Sequence, residues 1–223
     1  MRAGVLTALV LLGAASAWAQ PRQPLPVVVV DLRGFYAALG QDPITAGDLL
    51  VTPADLPSRG LGAAGGVQLY PLRSRRISLG ISAEAILARA RKLTTPEEEQ
   101  EEEEPAGGDG EVTEPLPPIN QRLIGWSGNL SLNFGSRNGW SYVTAGIGPM
   151  RFGTFEGDQS PPRPAPSKMT INYGGGARWF AWRHIAFAVD VRFYQTRPES
   201  QTVFYAGRAR SSLRILSAGI SIR

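Results

Sequence analysis

Cysteine is absent from all 223 residues, and histidine occurs once, at His184. The first absence excludes disulfides, thiolate metal sites and a lipid-modified N-terminal cysteine. The second leaves too few ligands for zinc, which usually takes three or four His, Cys or carboxylate groups. No EF-hand spacing is present, so the sequence points to no metal and no cofactor. Also missing is any apolar run near the roughly 20 residues of a membrane-spanning helix. The stretch "VLTALVLLGAA" close to the start is too short for that.

What is there begins with a leader. Arg2, that apolar stretch and "AWA" at 17–19 form the charged, apolar and small-residue parts of a secretory signal. Cleavage after Ala19 is expected, leaving 20–223, a length that suits one domain. Ten of the 19 acidic residues lie between Glu97 and Glu114. That block of like charge, mixed with Pro and Gly, predicts a disordered, solvated loop at about 92–120. A surface tether or a cation-attracting brush is the alternative reading of it. Without Arg2 and this block, 22 basic residues face 9 acidic ones, an excess of 13. Such a balance ordinarily suggests nucleic acid. Here the arginines fall inside alternating strands of an exported chain, so no nucleic-acid partner is expected.

Eight alternating segments can be marked, near 27–40, 61–71, 75–91, 121–135, 140–155, 168–181, 184–197 and 202–223. Each reaches or exceeds the 9–11 residues that a tilted strand needs to cross a bilayer. Only 75–91 has helix formers ("AEAILARARK"), but Ile77, Leu79, Ile81, Ala83, Ala85 and Leu87 alternate, and period decides for strand. The connections run long, short, long, short, long, short and modest: 41–60, 72–74, 92–120, 136–139, 156–167, Trp182 with Arg183, and 198–201. Transmembrane barrels alternate short periplasmic turns with longer extracellular loops. A Greek-key sandwich has no reason to do so.

The two faces of these strands differ in the same way along the chain. One carries Val28, Val30, Leu32, Tyr36, Ile124, Trp126, Leu130, Leu132, Phe134, Ile171, Tyr173, Trp179, Ile185, Phe187, Val189, Val191 and Phe193. The other carries a charge set: Asp31, Arg33, Glu84, Arg178, Asp190, Arg192, Arg208, Arg210 and Arg214, with Asn129, Asn133 and Asn172. An Arg at the bilayer midplane costs about 2–4 kcal/mol, so the charged face must point inward and pair there. Trp140, Trp179 and Trp182 lie at strand ends beside short turns, where an interfacial aromatic girdle belongs. The predicted fold is an all-β, eight-stranded antiparallel up-and-down transmembrane barrel behind a cleaved signal peptide.

The stretches "YVTAGIGPMRFG" and "INYGGGARWFAWRHIAFAVDVRFYQ" resemble the OmpA-like small outer-membrane β-barrels. The N-terminal half shares only the pattern. The resemblance implies a plugged, side-chain-filled lumen, used for envelope integrity, adhesion or surface display. It also implies outer-membrane lipid, the barrel assembly machinery and an unidentified extracellular ligand of the loops as partners, with export by the Sec route to the outer membrane of a diderm bacterium. A monomer is expected. Two departures stand out. The chain ends on Arg223 rather than the family's usual aromatic, and alternation slips between Leu213/Ile215 and Leu216/Ala218, which a β-bulge would reconcile.

Enzymatic barrels of this size use a Ser-His pair at the outer leaflet. His184 sits in a short turn on the opposite side, about a bilayer away, so no enzyme is expected. Gly174–Gly176 lacks the Gly-Lys-Ser/Thr ending of a phosphate loop. It reads as space for bulky neighbours across the lumen. Two other readings stay open: a narrow arginine-lined anion channel, and a soluble periplasmic lipocalin-like barrel with its faces inverted.

Overall fold

The structure, a computed structural model, describes residues 24–74, 77–93, 117–157, 167–196 and 212–223. The proposed leader, most of the acidic segment, Arg208 and Arg210 lie outside these residues. Eight strands follow one another: β1 (Val28–Ala38), β2 (Arg59–Arg73), β3 (Ile77–Lys92), β4 (Ile119–Ser136), β5 (Gly139–Glu156), β6 (Ser167–Phe180), β7 (Ile185–Thr196) and β8 (Ser212–Ile222). Each pairs antiparallel with the next, and β8 returns to β1, so the sheet closes with no free edge. The segment 75–91, helical by composition, is strand β3, as its alternation requires.

Connections at one end are tight: 74–76, 137–138 and 181–184. At the other end β1 and β2, β3 and β4, β5 and β6, and β7 and β8 are joined by longer segments. The expected strand residues 202–211 lie outside the described set, and β8 begins at Ser212. The first long connection folds over the barrel mouth. It holds helix α1 (Pro43–Asp48), whose N-cap Asp42 accepts from Thr45 Oγ1 at 2.8 Å, and a 3-10 turn (Pro53–Asp55). Buried Leu56 and Ala46 of this cap pack with Ile119 at the start of β4.

The outer wall is apolar. Ile77, Leu79, Ile81 and Leu87 of β3 and Ile124, Trp126, Leu130, Leu132 and Phe134 of β4 are exposed. Ten steps at about 3.3 Å along a strand tilted 35–45° span about 25 Å, the height of a lipid-facing band. The soluble lipocalin-like alternative needs these side chains inside, and the faces are the reverse of that. A closed antiparallel barrel with an apolar outer band is an outer-membrane architecture, because closure satisfies every backbone group where no water can.

The interior is layered along the barrel axis, and the inward column of β1 shows it. Val29 sits in an apolar layer with Leu25, Tyr70, Trp140 and Tyr142. Asp31 and Arg33 come next, then Phe35 and Ala37 in a second apolar layer with Ile86, Leu123, Met150, Leu213 and Ile215. Charge therefore lies between two greasy layers.

Candidate functional site

The charged layer contains two units. In the first, Arg178 is fully buried and grips Asp31 with two donors: Nη2 to Oδ2 at 2.5 Å and Nε to Oδ1 at 3.2 Å. Planar guanidinium and carboxylate suit this two-point contact. Around the pair, Arg178 Nη1 donates to Gln68 Oε1 (3.1 Å) and Tyr70 Oη (3.3 Å). Gln68 Nε2 donates to Asp31 Oδ2 (2.9 Å), Tyr70 Oη to Gln68 Oε1 (2.6 Å), and Ser221 Oγ to Asp31 Oδ1 (2.5 Å). The guanidinium also lies 4.6 Å from the centre of the Tyr142 ring, a cation–π contact.

The second unit is a ring of alternating charge. Arg33 pairs with Glu84 and, at 3.2 Å, with Asp190. Arg192 closes it, 3.2 Å from Glu84 Oε1 and 3.0 Å from Asp190 Oδ1. Tyr142 Oη donates to Asp190 Oδ2 (2.6 Å), and Tyr194 Oη to Glu84 Oε1 (3.2 Å). All four charged side chains are almost wholly buried. Each carboxylate thus meets two arginines and a phenol. That matching is what makes four buried charges tolerable, since an unpaired one is strongly destabilising.

Small residues make room. A Cβ on Gly176 would fall 2.7 Å from Tyr142 Oη and 2.3 Å from the Val189 carbonyl. One on Gly219 would fall 3.0 Å from Arg33 Cγ and 2.1 Å from the Leu32 carbonyl. Beside the ring, a cavity of about 10 Å³ is lined by Glu84, Ser127, Thr170 and Tyr194 among others. That is room for about one water.

Asp31, Arg33, Glu84, Arg178, Asp190 and Arg192, read from the sequence as inward charges, are all buried in this layer. Two other readings need correction. Arg214 points outward: β8 runs without a bulge, with Leu213, Ile215 and Ser217 inside and Arg214, Leu216 and Ile220 outside. The apparent slip arose because the interior itself changes from polar to apolar along this strand. Trp140 is not in the girdle either. It is 3% exposed, inside the barrel, stacked on Phe180 (5.4 Å) and edge-on to Tyr70 (5.8 Å). Its parity follows from Val143 and Ile147, which face out, so the even positions of β5 face in. Trp179 and Trp182 are 53% and 61% exposed, on the outside near the tight turns.

Gln68, Tyr70, Tyr142, Tyr194 and Ser221 were not singled out by sequence. Only their inward parity marks them, and polarity alone does not identify a partner. His184 sits in its turn holding the chain end: its ring Nδ1 is 3.1 Å from the Arg223 carbonyl, and Arg223 N–H donates to the His184 carbonyl at 3.0 Å. The Arg223 guanidinium lies 4.0 Å from the Phe180 ring centre. Burial and the nearby Arg137 and Arg183 lower its pKa from the ordinary value.

No family model matches the chain, and no curated protein matches it. Among solved structures it is similar to Neisserial surface protein A at 8% identity and a TM-score of 0.48, covering 88% of this chain and 97% of that one. It is similar to the outer membrane enzyme PagL at 13% identity and a TM-score of 0.44, covering 86% and 98%. The attachment invasion locus protein of Yersinia pestis follows at 14% and 0.35, covering 87% and 96%. At these values the likeness carries no argument. The architecture rests on the strand register and the two faces described above.

Proposed function

We propose that the protein is a non-enzymatic, side-chain-filled barrel that anchors its long loops at the outer surface of an outer membrane, in the manner of the OmpA-like proteins. Its contribution is then to envelope integrity, adhesion or another surface interaction, with the ligand bound by the loops. The observation that carries this is the charge-balanced lumen. Among the described residues, three buried arginines meet three buried carboxylates, with apolar layers above and below. An anion-permeable channel would need an excess of positive charge along an open path. Here Arg214 lies outside the barrel, and the nearby cavity is water-sized. Eight strands leave an interior just wide enough for side chains to fill.

On this reading the first nineteen residues direct export, the assembly machinery inserts the chain, and it works as a monomer. The test is a pair of measurements on the mature chain refolded in detergent. Unboiled protein should migrate differently from boiled protein on a gel, as a closed barrel does. In planar bilayers it should give no stable conductance steps. Discrete, anion-selective steps would replace the plug with a pore, and solubility without detergent would remove the membrane reading altogether.

A further inference from the structure

On the long-loop side, the first outward residues beyond the apolar band are arginines on four consecutive strands. They are Arg59 of β2, Arg89 and Arg91 of β3, Arg122 of β4 and Arg151 of β5. The register makes them one patch. Leu87 faces Ile124 at the edge of the band, and one outward step further Arg89 faces Arg122. Arg151 stands opposite Ile124, and Leu61, next outward from Arg59, stands opposite Arg89.

Like charges directly across a sheet repel, yet Arg89 and Arg122 occupy such a pair. Among the described residues none of the five forms an ion pair. Arg122 Nε is moreover buried and has no hydrogen-bond partner. This differs from the lumen, where each of the described arginines has its carboxylate. The unpaired set lies on the outer wall, immediately above exposed Leu87, Ile124 and Trp126.

We propose that this patch binds the phosphates of an outer-leaflet lipid, with the guanidinium groups on phosphate oxygens and the acyl chains against the apolar wall below. Guanidinium matches phosphate with two parallel hydrogen bonds. A lipid is favoured over a soluble anion because the patch and the band are continuous, so one amphiphile meets both. One facing pair, Arg89 and Arg122, with Arg91 of β3 and Arg151 of β5 close by, suits a headgroup with more than one phosphate. The inference rests on the long loops lying on the outer side, and the test keeps the two ideas separate.

The full mature chain is refolded into phosphatidylcholine vesicles with and without a minority of lipid A, a bisphosphorylated glycolipid. The thermal midpoint is read by loss of the unboiled gel band. Lipid A is expected to raise the midpoint of the wild type, and Arg89→Gln/Arg122→Gln should lose more than half of that rise. A second pair, Arg91→Gln/Arg151→Gln, should lose part of it, and Arg73→Gln at the opposite rim should keep it. An unchanged rise in both paired variants, or no rise in the wild type, overturns the proposal. So does an equal rise with inorganic phosphate added to plain vesicles, which would make the ligand a free anion. If Arg89→Gln/Arg122→Gln loses stability only in plain vesicles, the patch is neutralised by the chain's own acids and the lipid assignment falls. Failure of the wild type to give a heat-sensitive band in plain vesicles would instead count against the membrane barrel itself.

Discussion

The two faces of β7 obey different rules although their residues are neighbours in the chain. Outside, Ile185, Phe187, Val189 and Val191 are exposed to lipid. Inside, Ala186, Ala188, Asp190 and Arg192 are buried. The outer positions have to be apolar and little more, because lipid chains adapt to whatever shape they meet. The inner positions depend on particular partners: Asp190 touches Arg33, Arg192 and Tyr142 together. One strand therefore carries a permissive face and an exacting one.

The sharpest way to break that contrast is to change an inner residue to an apolar one of similar reach. Arg178→Met leaves Asp31 buried without its cation and should cost about 3–5 kcal/mol. Unfolding midpoints in urea and detergent would measure it. Adding Asp31→Asn should restore part of the loss, since the stranded charge is gone. The reciprocal change puts a charge outside. Val189→Arg lies near the middle of the outer face of β7 and should cost about 2–4 kcal/mol in bilayers. Val189→Leu, which keeps that face apolar, should be nearly neutral by the same measurement.

A smaller effect tests space rather than charge. Gly176→Ala places a methyl against Tyr142 Oη and the Val189 carbonyl. Crowding of this kind costs about 1–3 kcal/mol, and the Tyr142–Asp190 hydrogen bond should weaken with it. The smallest effect lies outside the membrane, in the cap. Asp55 accepts from the Thr52 hydroxyl (2.6 Å) and the Thr52 N–H (2.9 Å). These bonds, the hydroxyl's first, hold its carboxyl below the usual carboxylate range. With the folded pKa depressed, this local stabilisation is present above that range and is lost as pH falls through the folded value. Proteolytic nicking near the Thr52 turn should therefore rise only on strong acidification, and Asp55→Asn should nick at neutral pH.

Period two was enough to place all eight strands and most of both faces, because lipid outside and charge inside give opposite signals at every second residue. It failed where that opposition fades. Leu213 and Ile215 face an apolar layer of the lumen, so Arg214 beside them looked inward. Trp140 sits at a strand end, where a girdle residue and a lumen residue share the same neighbours in the chain. The partners were not legible. Nothing local ties Arg178 to Asp31, which is 147 positions away. The basic outer rim was hidden by the rule that arginines avoid lipid, a rule that stops applying one step beyond the band.

That separation has a kinetic consequence. The seam between β1 and β8 joins Val30 to Ile222 and Ala38 to Arg214, almost the two limits of the described chain. Contacts of such high sequence separation slow folding, since loop-closure entropy is lost before they form. Asp31 receives Ser221 from across that seam. Until the last strand docks, the carboxylate lacks part of its shell and both edges are open. Closure should therefore be late and all-or-none, with the pair of Asp31 and Arg178 acting as the latch that distinguishes a finished barrel from a nearly finished one.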